Sequence, residues 1–209
     1  MKRKLKIEIG LAVLLLLIAL FGSFLAPYDP LKVNYDFSLQ PPSLLHIFGT
    51  DKLGRDVFSR ILCGAKTSFG LTFLMLFLIV FIGMIVGLIA GLSNDKVESF
   101  FNNIINGLLA FPDTIFAIAI VGIVGAGLFN TVFALALIWW TKYARLTLAL
   151  VKQEKKKNYL VISKMSGVPP LQRIVRYLIP NILSQILVTA FLDIGNMMIS
   201  LAGLSFLGL

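Results

Sequence analysis

The chain alternates between long uncharged apolar runs and short polar segments, and this pattern predicts helices that cross a membrane. Ile9–Leu25 is free of charge and follows a basic Lys/Arg cluster. A basic stretch ahead of an apolar one is also the plan of a signal peptide. Its 17 residues exceed the usual apolar core of one, however, and Ser23-Phe24-Leu25-Ala26 is a poor cleavage site, so the run reads as a first span. Residues 27–66 form a polar loop with Pro27, Pro30, Pro41 and Pro42. Thr67–Leu92 is a second span of 26 uncharged residues, on which Gly83, Gly87 and Gly91 share one face. Small residues four apart allow a second helix to approach closely. The 28 uncharged residues Thr114–Thr141 are long for one span and short for two. A turn over 125–130 gives spans Ile104–Val124 and Phe129–Ala149. A fifth span is predicted over Ile179–Leu201, with Pro180 breaking the backbone at its start.

Charge decides between one span and two in that region. Residues 142–176 carry nine bases and one acid, Glu154, a net of 9 − 1 = +8. Two spans place this segment in the cytoplasm, where Lys and Arg of short loops belong, and put the N-terminus on the same side. The 27–66 loop, at 5 − 4 = +1, then faces outward. Composition agrees: 58% of the 209 residues are hydrophobic and 14% charged, with a mean hydropathy of +0.91. These values exclude a soluble enzyme, a disordered tail and a disulfide scaffold. In a membrane chain the net charge of +9 reads as topology rather than nucleic-acid binding. One cysteine, Cys63, allows no internal disulfide, and one histidine, His46, allows no histidine-pair metal site.

The segment 155–178 is too polar to span and too patterned to be a linker. Tyr159, Ile162 and Met165 share a helix face, Gly167 suits a left-handed helix stop, and Pro169-Pro170 suits the first turn of a second helix. A helix–glycine–helix element results, able to lie on anionic lipid or to dock a protein.

Three motifs then resemble those of ABC-importer permeases of the nickel, dipeptide and oligopeptide branch. Gly167 with Tyr177-Leu178-Ile179-Pro180-Asn181 is similar to the EAA loop, Gly49–Arg60 to GTDxLGRDxxSR, and Leu204–Leu209 to LSFLGLG. Leu192–Met198, Ser166-Gly167 and Leu25–Pro30 most resemble the nickel permease C subunits. The resemblance implies an all-α, polytopic bundle of the type I importer fold. Residues 1–66 would form an N-terminal span with its extracytoplasmic loop, and 67–209 the permease core. It further implies a second permease subunit, two cytoplasmic ATPases gripping an EAA loop that includes Ile162, Ser163, Gly167, Tyr177 and Pro180, and an extracytoplasmic binding protein. ATP and Mg²⁺ belong to the ATPases, and no cofactor to this chain. Val161-Ile162-Ser163 stands in place of the EAA triplet. Family members continue past LSFLGLG into a sixth span, so the chain reads as a truncated product or a fragment. Cargo is expected to be nickel or a nickel chelate, the alternatives being di- and oligopeptides or a non-functional truncated permease.

Individual residues carry further expectations. Asp193, the lone acid deep in a span, reads equally as a passing contact for a cation and as a helix-packing partner, since a carboxylate there costs about 2.5–3.5 kcal/mol. Met197, four residues on, shares its face as a soft-ligand or packing residue. Asp113 reads as a helix-start charge and His46 as an incidental loop residue with a possible metal contact. The Asp51/Arg55/Asp56/Arg60 spacing predicts i, i+4 pairs on an interfacial helix. Gly64-Ala65-Lys66-Thr67 lacks the spacing of a phosphate loop, which excludes ATP binding there. An intramembrane enzyme would need a nucleophile with a base, or clustered ligands, at depth, and the spans supply neither.

Overall fold

A computed structural model describes residues 2–208; Leu209, which closes the LSFLGL motif, lies outside the described residues. Among them the regular structure is helical: α1 (Lys2–Leu25), α2 (Val57–Leu92), α3 (Asp95–Leu109), α4 (Asp113–Val124), α5 (Leu128–Lys155), α6 (Asn158–Met165), α7 (Pro170–Arg173) and α8 (Ile179–Phe206). Among the described residues, four segments are long and apolar enough to cross a membrane: Lys6–Leu25, α2, α5 and the run Pro170–Phe206. The bent pair α3–α4 makes a fifth if counted as one span. The chain divides into two compact units, Met1–Gly70 and Leu71–Leu209, with α2 running across the boundary.

In the first unit the polar loop is knotted by its own backbone. Asn34 N–H donates to the Leu53 carbonyl, Leu39 N–H to that of Asp51, and Thr50 N–H to that of Gln40, at 3.0–3.1 Å. Gly49 and Gly54 have φ of +72° and +70°, and a Cβ on Gly54 would lie 1.7 Å from the Asn34 carbonyl oxygen. The expected interfacial helix with i, i+4 pairs is corrected here. Asp51 pairs with Arg55 as the spacing predicts, but across a tight turn, and its other partner is Arg60. The Arg60 guanidinium therefore pairs with Asp51, and from Arg60 Asp56 accepts only the backbone N–H, on its carbonyl at 3.1 Å. It accepts Ser59 N–H at 2.7 Å at the start of α2 and bonds His46 Nδ1 at 2.9 Å. His46 lies against Tyr28 and Phe37 with ring centroids 4.8 and 5.9 Å away, a packed structural residue.

Burial pushes the Asp51 carboxyl up, and the stronger opposing effect of hydrogen bonds from Arg55, Leu53 N–H and Arg60 brings it well below its ordinary 3.8. Asp56 is likewise lowered, burial being outweighed by Ser59 and His46.

The second unit is organised around α5. Of its most apolar window 61% is buried, against 33% or less for the other single spans. The Gly83/Gly87/Gly91 ladder of α2 faces it: a Cβ at these positions would lie 2.5 Å from Tyr143 Cβ, 2.5 Å from Thr147 Cβ and 2.7 Å from Val151 Cγ1. Met75, Ile79, Ala117, Val121, Leu135, Tyr143, Ile182 and Ile186 fill the core between α2, α4, α5 and α8.

Two expectations are corrected. Ile104–Val124 is not one helix: α3 and α4 meet at 86° around Ala110–Pro112. Proline cannot continue the ladder, and the residue before it is disfavoured in the α conformation. Nor does Pro180 break the chain. Ile174–Leu178 takes the wider π-helical turn, Ile179 N–H reaches back to the Ile174 carbonyl, and α8 continues through Pro180. Such a π turn accommodates the proline ring without ending the helix.

Both carboxyls of the loop knot have lowered pKa values, so its stability is fully present above about pH 3.8 and is lost as pH falls through the folded values. Protection of amides 50–59 relative to their intrinsic exchange rates is expected to fall below that point and to stay constant between pH 5 and 7. Gly87→Val should lower the unfolding midpoint in detergent, at a cost of about 1–3 kcal/mol from overpacking. Gly70→Val, at a position with open space, serves as the control.

Candidate functional site

The sequence places Asp193 at mid-length of α8 and Lys142 in α5, and the fold brings them together. Asp193 is 5% exposed. Lys142 Nζ donates to both its carboxylate oxygens, at 2.8 and 2.7 Å, and Tyr143 Oη–H donates to Oδ2 at 2.9 Å. Consecutive residues of a helix do not share a face, so Lys142 and Tyr143 grip the carboxylate from two sides. A charge at membrane depth is tolerated when it is paired and hydrogen-bonded, and here every contact comes from a neighbouring helix of the same chain.

Lys142 is therefore not a loop residue. It lies in α5 with Arg145, and α5 runs on to Lys155, so part of the +8 assigned to the inner loop rides on a helix. Twenty-eight residues span about 42 Å, more than the ~30 Å hydrocarbon core, which lets the basic end project past it. Arg145 donates to Asn106 and Lys152 pairs with Glu98 at 2.5 Å, fixing α3 along the C-terminal half of α5.

Beside the ion pair lies a cavity of about 200 Å³, lined by Leu109, Phe111, Asp113, Trp139, Lys142, Asp193 and Asn196, among others. The break between α3 and α4 thus falls at the same place as the Lys142–Asp193 pair. Interrupted backbone at membrane depth is found where it lines a cavity or is covered by protein. Asp113 opens α4, its Oδ1 accepting Thr114 N–H at 2.8 Å, as expected of a helix-start acid. The indole N–H of Trp139 is buried without an acceptor among the described residues. Met197 is fully buried in the core and absent from the lining, the packing position that the sequence also allowed. One turn holds Asp193 and Met197 inward, and it is Asn196 that reaches the cavity.

The helix–glycine–helix element is formed by α6 and α7. Gly167 has φ +75°, and its N–H bonds the Lys164 carbonyl at 3.2 Å. Pro170 opens α7. Ile162, Met165, Leu171 and Val175 are exposed apolar side chains on this element, while Ser163 is buried and its hydroxyl donates to the Leu160 carbonyl at 2.8 Å. Glu154, the acid of the basic segment, is buried at the end of α5. It pairs with Lys157 at 2.6 Å and accepts the Tyr159 hydroxyl, tying α6 to α5. Burial and then Glu154 push the Tyr159 phenol up to about 12. Asn181 Nδ2 caps the Tyr177 carbonyl at 2.6 Å, next to Pro180.

Several apolar spans around one buried helix, a paired charge at depth and an interrupted span beside a cavity define a polytopic transport protein. The chain belongs to the binding-protein-dependent transport system inner membrane components, the permease subunits of ABC importers, whose family matches residues 83–209. Residues 9–42 match the N-terminal TM domain of oligopeptide transport permease C, which gives the first apolar run a membrane role. The nickel transport system permease protein NikC of Escherichia coli (strain K12) is 35% identical over 196 residues, covering 94% of this chain and 71% of that protein. The di/tripeptide transport system permease protein DppC of Pseudomonas aeruginosa is 38% identical over 208 residues, 96% and 69%. The glutathione transport system permease protein GsiD of Shigella flexneri is 37% identical over 198 residues, 94% and 65%. The chain is accordingly a multi-pass inner-membrane permease subunit, a transport component and not an ATPase.

The Lys142–Asp193 contact is open to a direct test. Asp193→Asn and Lys142→Met should each lower the unfolding midpoint more than the double variant does. The coupling energy is expected at about 0.5–3 kcal/mol, because each single change strands a charge.

Proposed function

We propose that this permease subunit carries nickel into the cell as an organic chelate, past the Lys142–Asp193–Tyr143 cluster. The observation that carries this reading is that both oxygens of the Asp193 carboxylate are engaged by an ammonium and a phenol. A carboxylate so neutralised offers little to a bare divalent cation. A cargo bearing both carboxylates and positive charge can exchange with each half of the pair: its carboxylates with Lys142, its cationic part with Asp193. The nickel assignment rests on the resemblance at Leu192–Met198 and on the similarity to the nickel permease. The comparable identity to the di/tripeptide permease favours a second reading, a short zwitterionic peptide, by the same charge chemistry.

The docking element in this reading is the α6–α7 hairpin with Ile162, Ser163, Gly167, Tyr177 and Pro180. A cytoplasmic ATPase would grip it, ATP and Mg²⁺ being bound there. Its exposed apolar side chains suit such a contact, and the basic segment with the N-terminus faces the cytoplasm under the positive-inside rule. The assembly is completed by a second permease, a second ATPase and an extracytoplasmic binding protein.

Uptake of radioactive nickel by cells carrying the chain with its partner subunits tests the cargo. Chelated nickel should enter faster than the hydrated ion, and Asp193→Ala should abolish the difference. Transport of dipeptide with no competition from chelated nickel would establish the second reading instead. Normal nickel uptake by Asp193→Ala would remove the cluster from the pathway.

A further inference from the structure

The second large cavity, of about 550 Å³, lies where three long helices end. Its wall includes Leu92, the last residue of α2, Lys155, the last of α5, and Leu178, directly before α8, with Leu160 of α6. Lys164 and Arg173 complete its polar part, and no acid lines it. Of the acids near it in the chain, Glu154 pairs with Lys157 and Glu98 with Lys152, while Asp95 stands in the first turn of α3 outside the lining. Lys155 donates to the Gly91 carbonyl at 3.1 Å, which fixes its ammonium at the pocket and leaves two donors open. The side chains of Lys164 and Arg173 have no hydrogen-bond or ion-pair partner among the described residues. Three cations therefore converge on an apolar hollow with no counter-charge.

We propose that this pocket binds the headgroup of an anionic phospholipid, with the phosphate on Lys155, Lys164 and Arg173 and the upper acyl chain against Leu92, Leu160 and Leu178. The volume is within the roughly 300–1,000 Å³ of small-molecule sites. The ends of membrane spans are the level at which phosphates and the first methylenes lie, and basic pockets between helices at that level suit anionic headgroups. A protein partner has a different surface to use, the exposed Ile162, Met165, Leu171 and Val175 of the hairpin. A lipid seated behind the hairpin would set its position on the ends of α2, α5 and α8. The inference needs the chain to span a membrane and does not depend on the cargo.

The test uses the full chain in maltoside detergent, titrated with dioleoylphosphatidylglycerol or dioleoylphosphatidylcholine, with bound lipid counted by native mass spectrometry. Phosphatidylglycerol should be retained in preference. Lys164→Gln and Arg173→Gln should weaken it about fivefold each and about 25-fold together, leaving phosphatidylcholine unchanged. Lys164→Arg should retain it, which separates charge from folding, and the unfolding midpoint of each variant monitors the fold. Equal retention of the two lipids, or no effect of the double Gln variant, would overturn the proposal. So would variants that keep phosphatidylglycerol but lose capture of the ATPase, since the cations would then serve a protein contact.

Discussion

Everything in the second unit depends on pairing the Asp193 carboxylate with Lys142 at membrane depth. Neither charge is tolerable alone in a medium without water, and the pair holds only if α5 and α8 keep a fixed register. Tyr143 serves both sides of this constraint. Its hydroxyl completes the carboxylate's hydrogen bonds, while its Cβ closes over Gly83 of α2. A side chain at Gly83 would collide with the very residue that holds Asp193. The glycine ladder is thus the packing condition under which the charged cluster can exist.

The interruptions of regular helix fall where the protein needs them. Pro112 ends one helix and begins another beside the ion pair, so backbone and charge meet at one cavity. Gly167 reverses the chain in the basic segment, and the π turn at Ile174–Leu178 carries it into α8 without a stop. Glu154 has an organising role of the same kind at the far end of α5. As a buried acid among lysines, it ties α6 down with Lys157 and Tyr159. These features leave Lys155, Lys164 and Arg173 with no acidic partner among the described residues.

Much of this was legible in the residues. The apolar runs marked the membrane-spanning regions, the ladder of glycines marked a close helix contact, and Gly167 with Pro169-Pro170 marked the hairpin, because each rests on local chemistry. The GTDKLGRD stretch stands out as a motif, but helical spacing predicts the wrong partner for its Asp56. The backbone makes a turn there instead, with Asp51 and Asp56 taking different partners. Asp193 was found as the lone acid of its span. Lys142 reads as loop charge in the sequence although it lies in a span, and an i, i+51 contact leaves no periodic trace in a sequence.

The sequence by itself determined a helical membrane protein, the places where its chain crosses or turns, and its family, since hydropathy, glycine and proline act within a few residues of where they stand. Only the tertiary structure decided which charges neutralise one another and which are left over. It set Asn196 rather than Met197 at the cavity, bent the third span, and gathered Lys155, Lys164 and Arg173 around one apolar hollow. The reason is that pairing energy at membrane depth is set by distance between helices, and that distance is fixed by packing far apart in the chain.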